Sequence, residues 1–301
     1  MVMKTILVPT DFSPAANAAT KVAITLAKQF KSTIILLHVL EGVDENSFNV
    51  EGEASASSSW EDRLFNMKMI EKGRKLLNQA TNAVTETGVN AKSILRLGNA
   101  YHGMQSIITD QKVDVVVMGT EGSNGFQELV VGSNTEKVVR RSAVPVISVN
   151  KRSLVESLKS IVWATSLKEE DLNIPVVLKK LMDQDDTIVH LVRINTPGLF
   201  FSDTIVKSKL AAFAQKMKLR KFTINVFNDH NEEEGIIRFA SGINADLIAL
   251  STHGRRGLSH LLNGSIAEDV VNHSKRPVMT YVIGKVTSAK KKKQRVAGII
   301  L

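Results

Sequence analysis

The chain has 301 residues, length for about two domains, and its 43% apolar content is that of a globular protein with a full core. It has no cysteine, which excludes a disulfide framework and any cysteine-held metal site. Of the net charge of +9, six units sit in the tail as Lys285, Lys290, Lys291, Lys292, Lys293 and Arg295, leaving +3 elsewhere. A basic end with no interleaved aromatics reads as a solvated tail and not as a nucleic-acid surface.

The first apolar run, Ile6-Leu7-Val8, is far shorter than the roughly seven residues a secretory signal needs. No stretch approaches the ~18 apolar residues of a membrane span. A cytoplasmic location, with no membrane contact, is the expectation. The same run reads as a short buried strand stopped by Pro9. Ser13-Pro14 then offers a helix cap and a proline at the first helical position. Ala19, Val22, Ala23, Leu26 and Phe30 follow at helical spacing. Residues 33–40 form a continuous, β-branched run, as a strand covered on both faces should. The stretch 42–59 is rich in Ser, Glu and Asn and reads as a loop or lid. Beyond it the pattern predicts a helix over 61–87, a strand over 93–97, a helix over 101–109, and strands over 113–118 and 144–149.

The second half repeats the first. Residues 119–146 align without a gap on 251–278, and 12 of 28 positions are identical, among them Gly122/Gly254, Gly132/Gly264, Ser133/Ser265 and Glu136/Glu268. The N-terminal parts match at a different offset, with Pro9-Thr10-Asp11 lying over Ala164-Thr165-Ser166, so the second copy lacks roughly 23 residues in its middle, most simply the 42–59 stretch. Strands are predicted over 161–164, 187–194, 223–227, 246–250 and 278–283. Strands alternating with helices imply two tandem, doubly wound parallel α/β sheets of the Rossmann type, five strands each. The expected units are 1–150, 156–284 and a basic tail over 285–301, with a short charged joint that packs the halves together as an internal pseudo-dimer.

The chemistry-bearing feature is the loop after the fourth strand. Gly119 and Gly122 are followed after nine residues by Gly132-Ser133, where a helix begins. Open α/β sheets bind ligands beyond the carboxyl ends of their strands. Glycines let backbone N–H groups approach a ligand, and the helix N-terminus adds free donors and a positive dipole end. Together these make a phosphate cradle. The same residues also have a purely structural reading, since Ser133 with Glu136, and Ser265 with Glu268, spell a capping box.

Gly119-x2-Gly122-x9-Gly132-Ser133 resembles the ATP-binding signature of universal stress proteins. The opening strand into Pro9-Thr10-Asp11, Leu37-His38-Val39 on strand two, and Val144-Pro145-Val146 on strand five resemble that family too. The resemblance covers residues 4–149 and, more loosely, 158–283. It implies an adenine nucleotide hydrolase-like fold binding ATP, with magnesium arriving on the nucleotide. Asp11 would face the adenosine, Pro9 and Thr10 would shape its wall, and Val39 and Met118 would border it. Gly119 and Gly122 would approach ribose and phosphates, and Gly132, Ser133 and Asn134 would hold the phosphates. It also implies pairing through the last strands, and dimers of chains.

The second copy keeps Gly254, Gly264 and Ser265 for phosphate, but Ser251 replaces the first glycine, Ser166 stands for Asp11, Trp163 for Val8, and Arg193 is placed over Val39. These changes point to a nucleotide held mainly by the first copy. There is no Gly-x4-Gly-Lys loop and no Gly-x-Gly-x2-Gly site, and the Pro9-to-Ser13 turn lacks the glycines of adenylating relatives. Ser13 has no nucleophile elbow around it, and no His/Asp/Glu set has metal-ligand spacing. His38 and His190 read as strand residues and His253 as a polar loop residue. Nothing supplies a strong base or an arginine finger, so any ATP hydrolysis is expected to be slow. A nucleotide-independent scaffold and a slow ATPase are the alternative readings.

Overall fold

A computed structural model describes residues 3–42, 60–120, 133–153, 157–167, 169–252 and 266–282, excepting the side chains of Ser133, Glu169 and Glu170. The first half runs β1 (Thr5–Pro9), α1 (Pro14–Phe30), β2 (Thr33–Leu40), α2 (Trp60–Thr85), β3 (Ala91–Leu97), α3 (Ala100–Asp110), β4 (Val115–Gly119), α4 (Ser133–Arg141) and β5 (Val146–Val149). Ser13 caps α1 as its spacing predicts, its hydroxyl accepting from Ala16 N at 3.2 Å, with Pro14 at the first position. Ala19, Val22, Ala23 and Leu26 are buried, so the apolar stripe faces the sheet.

The second half runs β6 (Ser160–Ala164), a 3₁₀ turn (Glu169–Leu172), α5 (Val176–Met182), β7 (Ile188–Asn195), α6 (Asp203–Met217), β8 (Phe222–Asn228), α7 (Glu232–Gly242), β9 (Leu247–Thr252), α8 (Ile266–His273) and β10 (Val278–Val282). The duplication extends to single hydrogen bonds. Asp114 accepts from Lys4 N and Thr5 N, and Asp246 accepts from Lys159 N and Ser160 N, so one carboxylate clamps the entry of each opening strand. Thr10 Oγ1 accepts from Phe12 N at 3.0 Å, and Thr165 Oγ1 from Leu167 N at 3.0 Å. Phe12 and Leu167 both sit in the left-handed region, at φ 64° and 63°. That conformation costs a residue with a side chain about 1 kcal/mol, and both halves retain it at the same turn. The missing residues of the second copy fall between its second and third strands, where α2 spans 26 residues and α6 only 15.

The expected pair of five-stranded sheets is one continuous sheet, with strand order β3-β2-β1-β4-β5-β10-β9-β6-β7-β8. Each half is parallel, and the halves join by the antiparallel pair β5 and β10, Met279 lying opposite Ile147. The internal pseudo-dimer is therefore a shared sheet. On one face a single core crosses the junction, from Ile6, Val8 and Val149 to Trp163, Leu210 and Tyr281. On the other face each half keeps its own cluster, around Met104 and Val138 in the first and around Phe239 and Val270 in the second. Arg140 at the end of α4 reaches Glu268 of α8 with both Nε and Nη2, and also meets Glu136 of its own helix. Both glutamates of the predicted capping boxes thus converge on one guanidinium across the junction. No helix among the described residues is long and apolar enough to cross a membrane.

Candidate functional site

In the first half β1 lies between β2 and β4, so the chain reverses its winding direction between β1 and β4. The carboxyl ends of those two strands flank the crevice where open α/β sheets hold ligands. Pro9 ends β1, Thr10 is buried behind it, and Met118 and Gly119 end β4. The turn leaving β1 is held by nested side-chain bonds. Asp11 Oδ1 accepts from Ser13 N at 3.0 Å, and His38 Nδ1 lies 2.8 Å from the Thr10 carbonyl, its ring packed on Phe12. His38 is thus a strand-end prop.

Gly119 serves packing as well as any ligand. A Cβ there would lie 2.8 Å from the Ala15 carbonyl carbon and 2.9 Å from Ala16 N, so the absence of a side chain lets the first turn of α1 close against β4. Its carbonyl accepts from Thr135 Oγ1 at 3.0 Å, which ties the exit of β4 to the first turn of α4. The end of β4 and the start of α4 are therefore fixed to each other; Gly122 and Gly132 lie outside the described residues. Ser133 opens α4 and Asn134, half-buried, follows it. Next to Gly119, Thr120 is buried, and its hydroxyl oxygen has no hydrogen-bond partner among the described residues. A buried hydroxyl left unpaired is costly, and here it sits where the loop meets the crevice. Thr120 carries no motif signal in the sequence; its burial beside Gly119 is what marks it.

The equivalent place in the second half is built differently. The span that forms the 17-residue α1 in the first half holds only the 3₁₀ turn and the seven-residue α5. Pro175, standing where Thr20 stands, has no N–H to donate and breaks the helix there. Room left by the lost turns is filled by Trp163 and Tyr281, where the first half has Val8 and Val149. Trp163 packs edge-on to Phe213 at 5.0 Å, and burial pushes the Tyr281 phenol well above its ordinary range. The first turn of the crossover has moved off the end of β9, so Ser251 can carry a side chain where Gly119 cannot. Gly254, Gly264 and Ser265 lie outside the described residues. Ala267 replaces Thr135, so the carbonyl tie is absent, and Ile266 replaces Asn134.

One expected correspondence is corrected. Arg193 does not stand over Val39. Pro9 pairs with Leu37 and its counterpart Ala164 with Val192, so Arg193 answers to His38 and Ile194 to Val39. A slip of one residue in a strand moves a side chain to the opposite face. Ile194 is buried in the same cluster position as Val39 takes in the first half, and Arg193 instead meets Glu232 at 3.5 Å. The wall that Val39 builds is therefore still apolar in the second half.

The sequence model described as the universal stress protein family matches residues 3–150 and 186–281. The chain belongs to the universal stress protein family. Universal stress protein MJ0577 of Methanocaldococcus jannaschii is 28% identical over 157 residues, spanning 96% of that protein but 50% of this chain. Universal stress protein Slr1230 of Synechocystis is 23% identical over 294 residues, covering 93% of this chain and 100% of the relative, so it is similar through both halves. A universal stress protein structure from Archaeoglobus fulgidus superposes over 94% of this chain and 100% of its own with a TM-score of 0.70 at 19% identity, a likeness of fold. The family match skips β6, the 3₁₀ turn and α5, which is the stretch where the second half is rebuilt.

Proposed function

We propose that this tandem universal stress protein binds ATP, or a related adenine nucleotide, as a regulatory ligand through its first half. The observation that carries the reading is the pinned exit of β4, where Thr135 in the first turn of α4 donates to the Gly119 carbonyl, beside buried Thr120, whose hydroxyl has no hydrogen-bond partner among the described residues. Pro9, Thr10, Asp11, Val39 and Met118 would receive the adenosine, and Gly119, Gly122, Gly132, Ser133 and Asn134 the phosphates. The fit rests on residue chemistry. A helix of nine residues begins at Ser133 and offers its unsatisfied N–H groups to an anion, while a carboxylate at the end of β1 can accept from ribose hydroxyls. Gly254, Gly264 and Ser265 would at most hold phosphate in the second half. Magnesium would arrive with the nucleotide. The ligand is read as a signal and not as a substrate. The reading carries a cytoplasmic location and association of chains into dimers with it.

Calorimetric titration of the full chain with ATP, and with GTP as a control, tests the proposal. Saturable heat with ATP, lost in Asp11→Ala and Gly132→Val, is expected. No heat and no thermal shift at millimolar ATP would replace it with the scaffold reading, to which the packing role of Gly119 already lends one structural reason. Turnover that tracks Asp11 would favour the slow ATPase.

A further inference from the structure

We infer that Asp171 is the residue that denies nucleotide to the second half, filling with an internal carboxylate the crevice that the first half keeps for a ligand. The inference rests on the nucleotide reading and sets its stoichiometry at one per chain. Asp171 lies in the 3₁₀ turn and stands where Ala16 stands in the first half. It is 1% exposed. Its Oδ2 accepts from Thr165 Oγ1 at 2.9 Å, Ser166 N at 3.0 Å and Ser166 Oγ at 2.9 Å. Its Oδ1 accepts from Ser251 Oγ at 2.9 Å. One side chain thus ties the end of β6 to the end of β9, the two strands that flank the second crevice.

A carboxylate is buried at this depth only if its lone pairs are used, because an unpaired one carries a large desolvation penalty. Here the surrounding residues have changed to use them. Gly119 and Ala16 touch in the first half, backbone to backbone, and their counterparts Ser251 and Asp171 share a hydrogen bond. The Asp11 position has become Ser166, which gives Asp171 both its N–H and its hydroxyl. So the loss of Asp11 and the loss of the first glycine are two sides of one rearrangement. A nucleotide entering this crevice would have to displace four hydrogen bonds and set its phosphates or ribose oxygens against a carboxylate in a water-poor site.

Equilibrium dialysis of the full chain with labelled ATP tests this. One nucleotide bound per native chain, retained in Ser251→Ala and lost in Asp11→Ala, is expected, with a second, weaker one admitted by folded Asp171→Ala. A count that stays at one in folded Asp171→Ala would overturn the inference. Two bound per native chain would overturn the inference, as would a single one lost on changing Ser251 and kept on changing Asp11. Zero bound defeats the nucleotide reading instead, and the closure is then judged by thermal unfolding. Asp171→Ala should lower Tm by about 5 °C or more, well beyond Asp11→Ala, with Ser251→Ala intermediate as it removes one of four bonds. If Asp171→Ala does not fold, Ser251→Ala and Ser166→Ala carry the comparison. Equal melting of the Asp11, Ser251 and Ser166 variants would show that no such hub exists.

Discussion

The first half leaves β1 straight into a 17-residue helix that presses on Gly119, whereas the second leaves β6 into a 3₁₀ turn and a seven-residue helix. Several other differences between the halves follow from that crossover. A shorter helix uncovers core, and Trp163 and Tyr281 fill it. A helix start withdrawn from β9 admits Ser251, and the turn that replaces it swings a carboxylate into the crevice. A duplicated domain has here changed its interior and its site in one coordinated set of residues.

Four comparisons would break or sharpen that contrast. Trp163→Ala should have the largest effect, a loss of about 4 kcal/mol from the cavity left beside Phe213, against about 2 kcal/mol for Val8→Ala at the matching place. Denaturant unfolding of the two variants checks the ratio, and equal losses would mean the aromatic packing is not compensation. Next, giving the first half the second half's residue with Gly119→Ser should cost about 2–3 kcal/mol, because its Cβ meets the Ala15 backbone at 2.8 Å. A neutral result would show that α1 yields easily.

Smaller effects concern the junction and the far edge. Arg140→Leu should cost about 1 kcal/mol at moderate salt, since the Arg140 side chain is 42% exposed. Its coupling to Glu268, measured in a double-mutant cycle, should shrink as salt rises. Least of all is His190, beside Thr223 Oγ1 at 2.9 Å and held below its usual titration range by burial. The unfolded chain takes up that proton first, so stability should fall as pH drops below about 6.5 and level off beneath the folded value. His190→Gln should flatten this slope, changing Tm near pH 5 by about 1–2 °C.

Much of this architecture is legible in the residues. Strand runs such as 33–40 are apolar throughout because helices cover both faces, and the capped start at Ser13 is marked by its own proline. The gapless match around the glycine-serine loop announces the duplication. What stayed hidden depends on register and on partners distant in sequence. Arg193 looks like a charge in the ligand wall until strand pairing places it one residue away, on the other face. Asp171 looks like an ordinary acidic residue after an ordinary strand, and only its four donors, from Thr165, Ser166 and Ser251, reveal its place. Pro175 was the available signal: a proline midway through a span that is helical in the other copy implies a broken crossover.

The antiparallel seam between β5 and β10 has one more consequence. Two identical subunits joined at such a seam obey a symmetry rule, under which every substitution appears twice and alters both partners together. Here the two partners share one polypeptide, so they meet at a fixed effective concentration whatever the dilution. Each can also accept mutations alone. Joining the copies in one gene allows one crevice to take the carboxylate of Asp171 while the other keeps Ala16.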